Sequence, residues 1–295
     1  MFLIYFKVKL LKSANLSLLS IVIGQFFSNG YCQAPLITRF QPDYAARYQY
    51  NFMPDTTQRN TYRNTELLLY FNNQESYCIS SDRYYNDSLI IESFEKIENA
   101  SSSQMAMNMA MRPIGMRPTS SNYLIRKERA KKIITYFTNV SVQEMYYIEQ
   151  MDAVKWQLMD STVTIHGFEC KLAKKRYFGR NYFAFYAPSI AVQDGPLKFC
   201  GLPGLIIQIK DDMNEVDIIL TELKSFTGQV RFSQNSNPIK TERKKLYDLL
   251  IQAYIDPFKI DEKLFNIQMN EEFKVEFRRK RQEEMNKVNN RLEKE

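Results

Sequence analysis

The sequence predicts an α+β chain that is mainly β: a curved antiparallel sheet or half-barrel packed against a C-terminal amphipathic helix. Three observations predict it. Tyr and Phe number 19 and 20 against a single Trp, and these aromatics favour half-buried pleated surfaces. From residue 46 to residue 226, apolar and polar residues alternate in short runs separated by Asn, Asp, Gly and Pro, the period-two signature of strands. From Thr241 the period changes. Leu246, Leu249, Leu250 and Ala253 follow 3.6 spacing, which predicts a helix from Thr241 to Ile255, capped by Thr241 and stopped by Pro257.

The elements follow in order. Lys7, Lys9 and Lys12 precede an apolar run from Leu16 to Phe27, and then "SNGYCQAPL" follows. This is the layout of a secretory signal over residues 1–32, with Gly30 and Cys32 at the −3 and −1 positions of a cut before Gln33. An uncleaved anchor and a lipid-modified Cys32 are the alternatives, although Tyr31 stands where a lipoprotein signal has a small residue. The chain is therefore expected in the periplasm or cell envelope, or secreted. The remainder is expected as one β-rich domain over 33–260 and a polar helical tail over 261–295.

Within the domain, Tyr48, Tyr50 and Phe52 alternate with Arg47 and Gln49, and Asn64 to Ser80 reads as two strands turning at Asn72-Asn73. Ser81 to Ser88 reads as a loop, and Ser93 to Ala100 as a short helix. Residues 101–121, rich in Ser, Met and Pro, read as a loop insertion. Strands resume at Lys131–Val140, Val142–Gln150 and Ala153–Met159. A hairpin is expected with one arm from Thr162 to Tyr177, a turn at Phe178-Gly179-Arg180-Asn181 and a second arm from Tyr182 to Tyr186. Leu205 to Lys210 and Val216 to Phe226 read as a further strand pair.

Net charge is +7, but it is not concentrated. The C-terminal Arg278, Arg279, Lys280 and Arg281 alternate with Glu276, Glu283 and Glu284, a solvated helix face rather than a nucleic-acid patch. No nucleotide-binding glycine loop, zinc spacing or nucleophile elbow occurs. His166 is the lone histidine, which leaves a hydrolytic triad without material. Loss of the signal leaves Cys78, Cys170 and Cys200, with no C-x-x-C pair. If two of them bridge, Cys170 and Cys200 are the expected pair; three buried thiols are the alternative.

The stretch Trp156 to Ile206 carries a more specific pattern. It holds Gly167-Phe168, Cys170, Lys171-Leu172-Ala173, Gly179-Arg180 with Tyr182 and Ala184, Gly195-Pro196 with Phe199, and the hexapeptide Gly201-Leu202-Pro203-Gly204-Leu205-Ile206. In order and spacing this resembles the GLPGLI family of exported Bacteroidetes proteins. The family pattern has a tryptophan where Phe185 stands and an Ile-Pro where this chain has Ile190-Ala191. The resemblance implies location and fold, and it implies no reaction.

Two Pro-Gly corners bracket a compact crossover. One reading makes it structural, with glycines that let the backbone lie flush on the sheet. The other makes it the mouth of a ligand cavity, with Arg180, Tyr182, Tyr186, Gly201, Pro203 and Gly204 as binding residues. Arg180 at a hairpin tip in solvent is the plainer expectation for that side chain. Three functions remain open: a non-catalytic envelope protein that holds a hydrophobic, peptide or protein partner on an aromatic sheet face; a copper handler using the alternating Met105, Met107, Met109 and Met111; and an enzyme in which Arg180, His166 and a carboxylate converge. No cofactor is expected.

Overall fold

A computed structural model describes residues 35–58, 62–98, 115–118, 121–141, 143–151, 155–258 and 270–287. The chain is α+β and mainly β, and its large sheet is open rather than closed into a barrel. The strands are β1 (Leu36–Phe40), β2 (Tyr44–Phe52), β3 (Arg63–Phe71), β4 (Glu75–Ser80), β5 (Tyr123–Glu128), β6 (Ile133–Val140), β7 (Gln143–Gln150), β8 (Gln157–Ile165), β9 (Phe168–Tyr177), β10 (Arg180–Ala187), β11 (Leu205–Asp211), β12 (Val216–Ser225), β13 (Val230–Gln234) and β14 (Ile239–Lys240). The helices are α1 (Ser81–Glu98), α2 (Arg243–Ile255) and α3 (Glu271–Lys287).

Twelve strands form one sheet in the order β14-β7-β6-β5-β4-β3-β2-β12-β11-β10-β9-β8, and β1 pairs with β13 in a second. Neighbours run antiparallel except β14, which lies parallel to β7. Strand β2 joins the two halves: it pairs with β3 on one side and with β12, far along the chain, on the other.

Alternation along the strands sorts the side chains onto two faces. Leu67, Leu69, Cys78 and Ile125 point to one face, where Leu197, Phe199 and Leu202 of the crossover 188–204 pack onto them. Leu68, Tyr70, Tyr77, Ile79 and Leu124 point to the other, beneath Val230 and Phe232 of β13 and Tyr84 of α1. At the sheet end, Val140, Met145 and Tyr147 bury Leu246 of α2. Helix α3 meets α2 through Tyr254, whose hydroxyl donates to Glu284 at 2.7 Å. Among the described residues, no helix is long and apolar enough to cross a membrane.

Several local expectations change. Residues 81–88 are helical, continuous with 93–98, because Ser80 Oγ accepts from the Arg83 amide and starts the turn. The stretch Thr162–Tyr177 is two strands, not one arm. His166 and Gly167 both take positive φ (48° and 81°) and turn β8 into β9, the conformation two-residue hairpins need. Phe178 and Gly179 do the same before β10. Strand β8 begins at Gln157 rather than Ala153. Helix α2 is preceded by Glu242, not capped by Thr241, whose amide is held by the Tyr146 carbonyl of β7.

Candidate functional site

The crossover between β10 and β11 determines what the large sheet face can do. It is tied down along its length. The Leu197 amide donates to Cys78 Sγ at 3.2 Å, Trp156 Nε1 donates to the Cys200 carbonyl at 2.8 Å, and the Tyr48 hydroxyl donates to the Ile206 carbonyl at 2.8 Å. Buried Lys127 of β5 donates to the Gly195 carbonyl at 2.5 Å and pairs with Asp194. Arg129 reaches the same carboxylate at 2.6 Å. The crossover therefore covers part of the sheet face with the chain's own side chains.

A cleft of about 390 Å³ remains beside it. Tyr50 and Phe52 of β2, Tyr123 of β5, Tyr136 of β6, Leu197 of the crossover and Tyr247 of α2 form its walls. Burial pushes the phenols of Tyr50 and Tyr123 well above their ordinary value, so these rings face the cleft neutral. Two cations line it as well. Arg63 is exposed, whereas Lys198 is buried and held by Glu149 at 3.1 Å and the Tyr147 hydroxyl at 3.2 Å. The arrangement offers an apolar, aromatic slot with positive charge among its walls. Its volume lies in the range of small-molecule sites.

The opposite face carries a second cleft of about 750 Å³ between α1, β7 and β13. At its base Arg83 lies between two carboxyl groups, 3.2 Å from Glu144 and 3.9 Å from Asp87. All three are nearly inaccessible to solvent (3%, 1% and 5% exposed). Burial pushes Asp87 up to about 7 against the attraction of Arg83, and raises Glu144 in the same sense. The folded protein therefore keeps a proton on Asp87 that the unfolded chain has already released. Stability should fall as pH rises from the ordinary carboxyl value of 3.8 to about 7, at no more than about 1.4 kcal/mol per pH unit for one proton. Asp87→Asn should flatten that slope in urea denaturation run at stepped pH.

The six residues expected to bind ligand line neither cleft. Arg180 is not in solvent. It begins β10 and is buried, with Nη1 bonded to Asp211 and, at 2.8 Å, to Glu215. Asp211 also accepts from the Glu215 and Val216 amides at 2.7 and 3.0 Å, so the cluster shapes the β11–β12 turn. Tyr182 and Tyr186 are core residues, and Tyr182 meets Phe199 edge-on at 4.8 Å. Gly201 and Pro203 are exposed and Gly204 is buried.

Cys170 and Cys200 are free thiols rather than a disulfide. Both are buried in the same apolar cluster as small side chains, and burial raises the Cys200 thiol to about 11, which removes its reactivity. His166 is exposed on the β8–β9 turn while Arg180 is buried beyond the far end of β9, so the convergence required of an enzyme at those residues does not form. Residues 1–32 and Met105, Met107, Met109 and Met111 lie outside the described residues. Among the described residues no cluster of His, Cys, Asp or Glu is suited to a metal ion. The sequence signal for the second cleft was the spacing Arg83, Asn86, Asp87, Ile90, which is helical but mostly polar.

No protein-family model matches the chain. No curated protein matches it either. Two solved structures of PNGF-II, in C2 and P21 space groups, are similar at 12% sequence identity, with TM-scores of 0.48 and 0.46. They cover 73% and 72% of this chain, which spans about a third of theirs (34% and 33%). Likeness at this level carries no argument about activity.

Proposed function

We propose that the chain is an exported, non-catalytic binding protein of the cell envelope, similar to the GLPGLI family. Its aromatic cleft would hold an amphiphile with an aliphatic or aromatic body and an anionic head. The observation that carries this reading is the 390 Å³ cleft walled by Tyr50, Phe52, Tyr123, Tyr136 and Tyr247, with Arg63 and Lys198 also lining it. Neutral rings offer apolar area with little conformational entropy to lose, and the exposed Arg63 favours a carboxylate, whereas Lys198 is already paired with Glu149. The GLPGLI segment would serve this function indirectly, by fixing Leu197 and Lys198 against the sheet. Export rests on the layout of residues 1–32.

The test is calorimetric titration of the mature chain with decanoate and phenylpropionate. Binding should show a negative heat-capacity change, the mark of apolar burial. Leu250→Trp, which fills the cleft from α2, should weaken binding about tenfold or more, equivalent to about 1.4 kcal/mol. If neither probe binds, or if a folded Leu250→Trp variant binds them as well as the parent, the proposal fails.

A further inference from the structure

The large sheet ends differently at its two edges. One edge is β14, a strand of two residues, and the other is β8, a strand of nine. Strand β8 pairs with β9 on its inner side. Among the described residues no strand meets its outer side, and Gln157 to Thr164 are all exposed. Leu158, Met159 and Val163 are 58%, 41% and 41% exposed. A free edge of this length is a template for another strand unless something blunts it. Two features do so here. One is a bulge, since Met159, Asp160 and Ser161 have no partner on β9 between the Leu158–Ala173 and Thr162–Lys171 pairs. The other is the single charge of Asp160. The strand contains no Lys and no Pro.

The strand fits a second copy of itself. When two β8 strands are set antiparallel about a two-fold axis through Ser161, Met159 faces Val163 of the second copy and Asp160 faces its Thr162. The symmetry repeats each pair, so the exposed Met159 and Val163 meet twice. The charge is answered as well. Thr162 lies opposite Lys171 of β9, so Asp160 of one copy and Lys171 of the other flank the same threonine on one face of the joined sheet. Both side chains are exposed, and neither has an ion-pair partner among the described residues. An unrelated strand brings no cation to Asp160. The charge that guards this edge against other strands therefore favours pairing with a copy of this chain.

We infer that two copies of the chain join edge to edge through β8, as an antiparallel two-fold dimer in which one sheet continues into the other. The contact is narrow, so association is weak, with Kd of about 10–100 µM. Pairing gives the outer amides and carbonyls of β8 partners in place of water. It also covers Met159 and Val163, two of the large apolar side chains that the monomer leaves in solvent. No residue of β8 lines either cleft, so the inference is independent of the binding reading above.

The test is sedimentation equilibrium of the mature chain at concentrations from about a tenth of that Kd to ten times it. A monomer–dimer equilibrium is expected. Val163→Lys should weaken it about tenfold or more, because it sets an ammonium in the seam. Asp160→Lys and Lys171→Asp should each weaken it about tenfold, and the two together should restore it, because the exchange keeps opposite charges in register. Ser161→Cys, on the two-fold axis, should form a disulfide-linked dimer in oxidised glutathione, whereas Gln157→Cys should not. All five side chains are exposed, and circular dichroism checks that each variant folds. The inference is overturned if the chain stays monomeric throughout, which would mean that the edge is guarded or serves a strand of another protein. It is also overturned if a dimer survives Val163→Lys, or if the double exchange associates no better than the single ones, since the contact then lies elsewhere.

Discussion

Gly204→Ala should destabilise the protein by about 4 kcal/mol, the sum of an overpacked core and a strained backbone. A Cβ at this position would stand 2.3 Å from the Ala187 carbonyl oxygen and 2.9 Å from the Pro188 nitrogen. Neither is the end of a flexible side chain, because both belong to the backbone where β10 leaves the sheet. Residue 204 also has φ of +153°, which an L side chain rarely adopts. The neighbouring Gly201 is a control within the same hexapeptide. It has φ of +89° but nothing within 4 Å of an added Cβ, so Gly201→Ala should cost only the backbone term, about 1 kcal/mol. Urea midpoints of the two variants measure the difference. Equal losses would mean that the strands do not cross at Gly204 as described.

Asp194→Ala should cost about 3–5 kcal/mol, because it leaves Lys127 charged and buried without its carboxylate. Both side chains are 1% exposed. Asp194 also accepts from its neighbour's amide, Gly195, at 2.7 Å and from Arg129 at 2.6 Å. Asp194→Asn should lose less, since an amide oxygen can still take the Gly195 N–H. The double variant Lys127→Met/Asp194→Leu should recover much of the loss by removing both charges together. Denaturant unfolding of the parent, Lys127→Met, Asp194→Leu and the double variant closes the cycle. Additive losses would show that the pair does not act as one unit.

The Gly204 prediction explains why the hexapeptide stood out in the sequence. Its proline and glycines were legible as turn formers, and the structural reading of them matches Gly204, which lies where only hydrogen fits beyond the α-carbon. The β2 alternation, the Asn72-Asn73 turn and the β11–β12 pair were legible for the same reason, because period two and turn chemistry are local properties. At Asn72 the side-chain oxygen accepts from the Gln74 and Glu75 amides at 2.9 and 3.0 Å, the Asx turn that its position suggests.

What was not legible depends on distant partners or on polar residues in apolar places. Helix α1 was missed over its first half because its inward residues, Arg83, Asn86 and Asp87, repeat at helical spacing but are not apolar, and a search for apolar periodicity passes over them. Arg180 was expected at a hairpin tip because its burying partners, Asp211 and Glu215, come some thirty residues later. His166-Gly167 is not legible as a turn because a non-glycine residue at positive φ is uncommon. The aromatic cleft combines β2, β3, β5, β6, the crossover and α2, and no local rule places those six segments together.

The pairing of β2 with β12 has a consequence for folding. Until residues 216–225 dock, β2 presents a bare row of amides and carbonyls along Tyr44–Phe52. The last partner to arrive is the one that seals the middle of the sheet. Such distant closure slows folding, and the waiting edge is open to any stray extended chain. Newly made protein thus passes through a stage in which its own unfinished seam, rather than its surface, is the chief hazard.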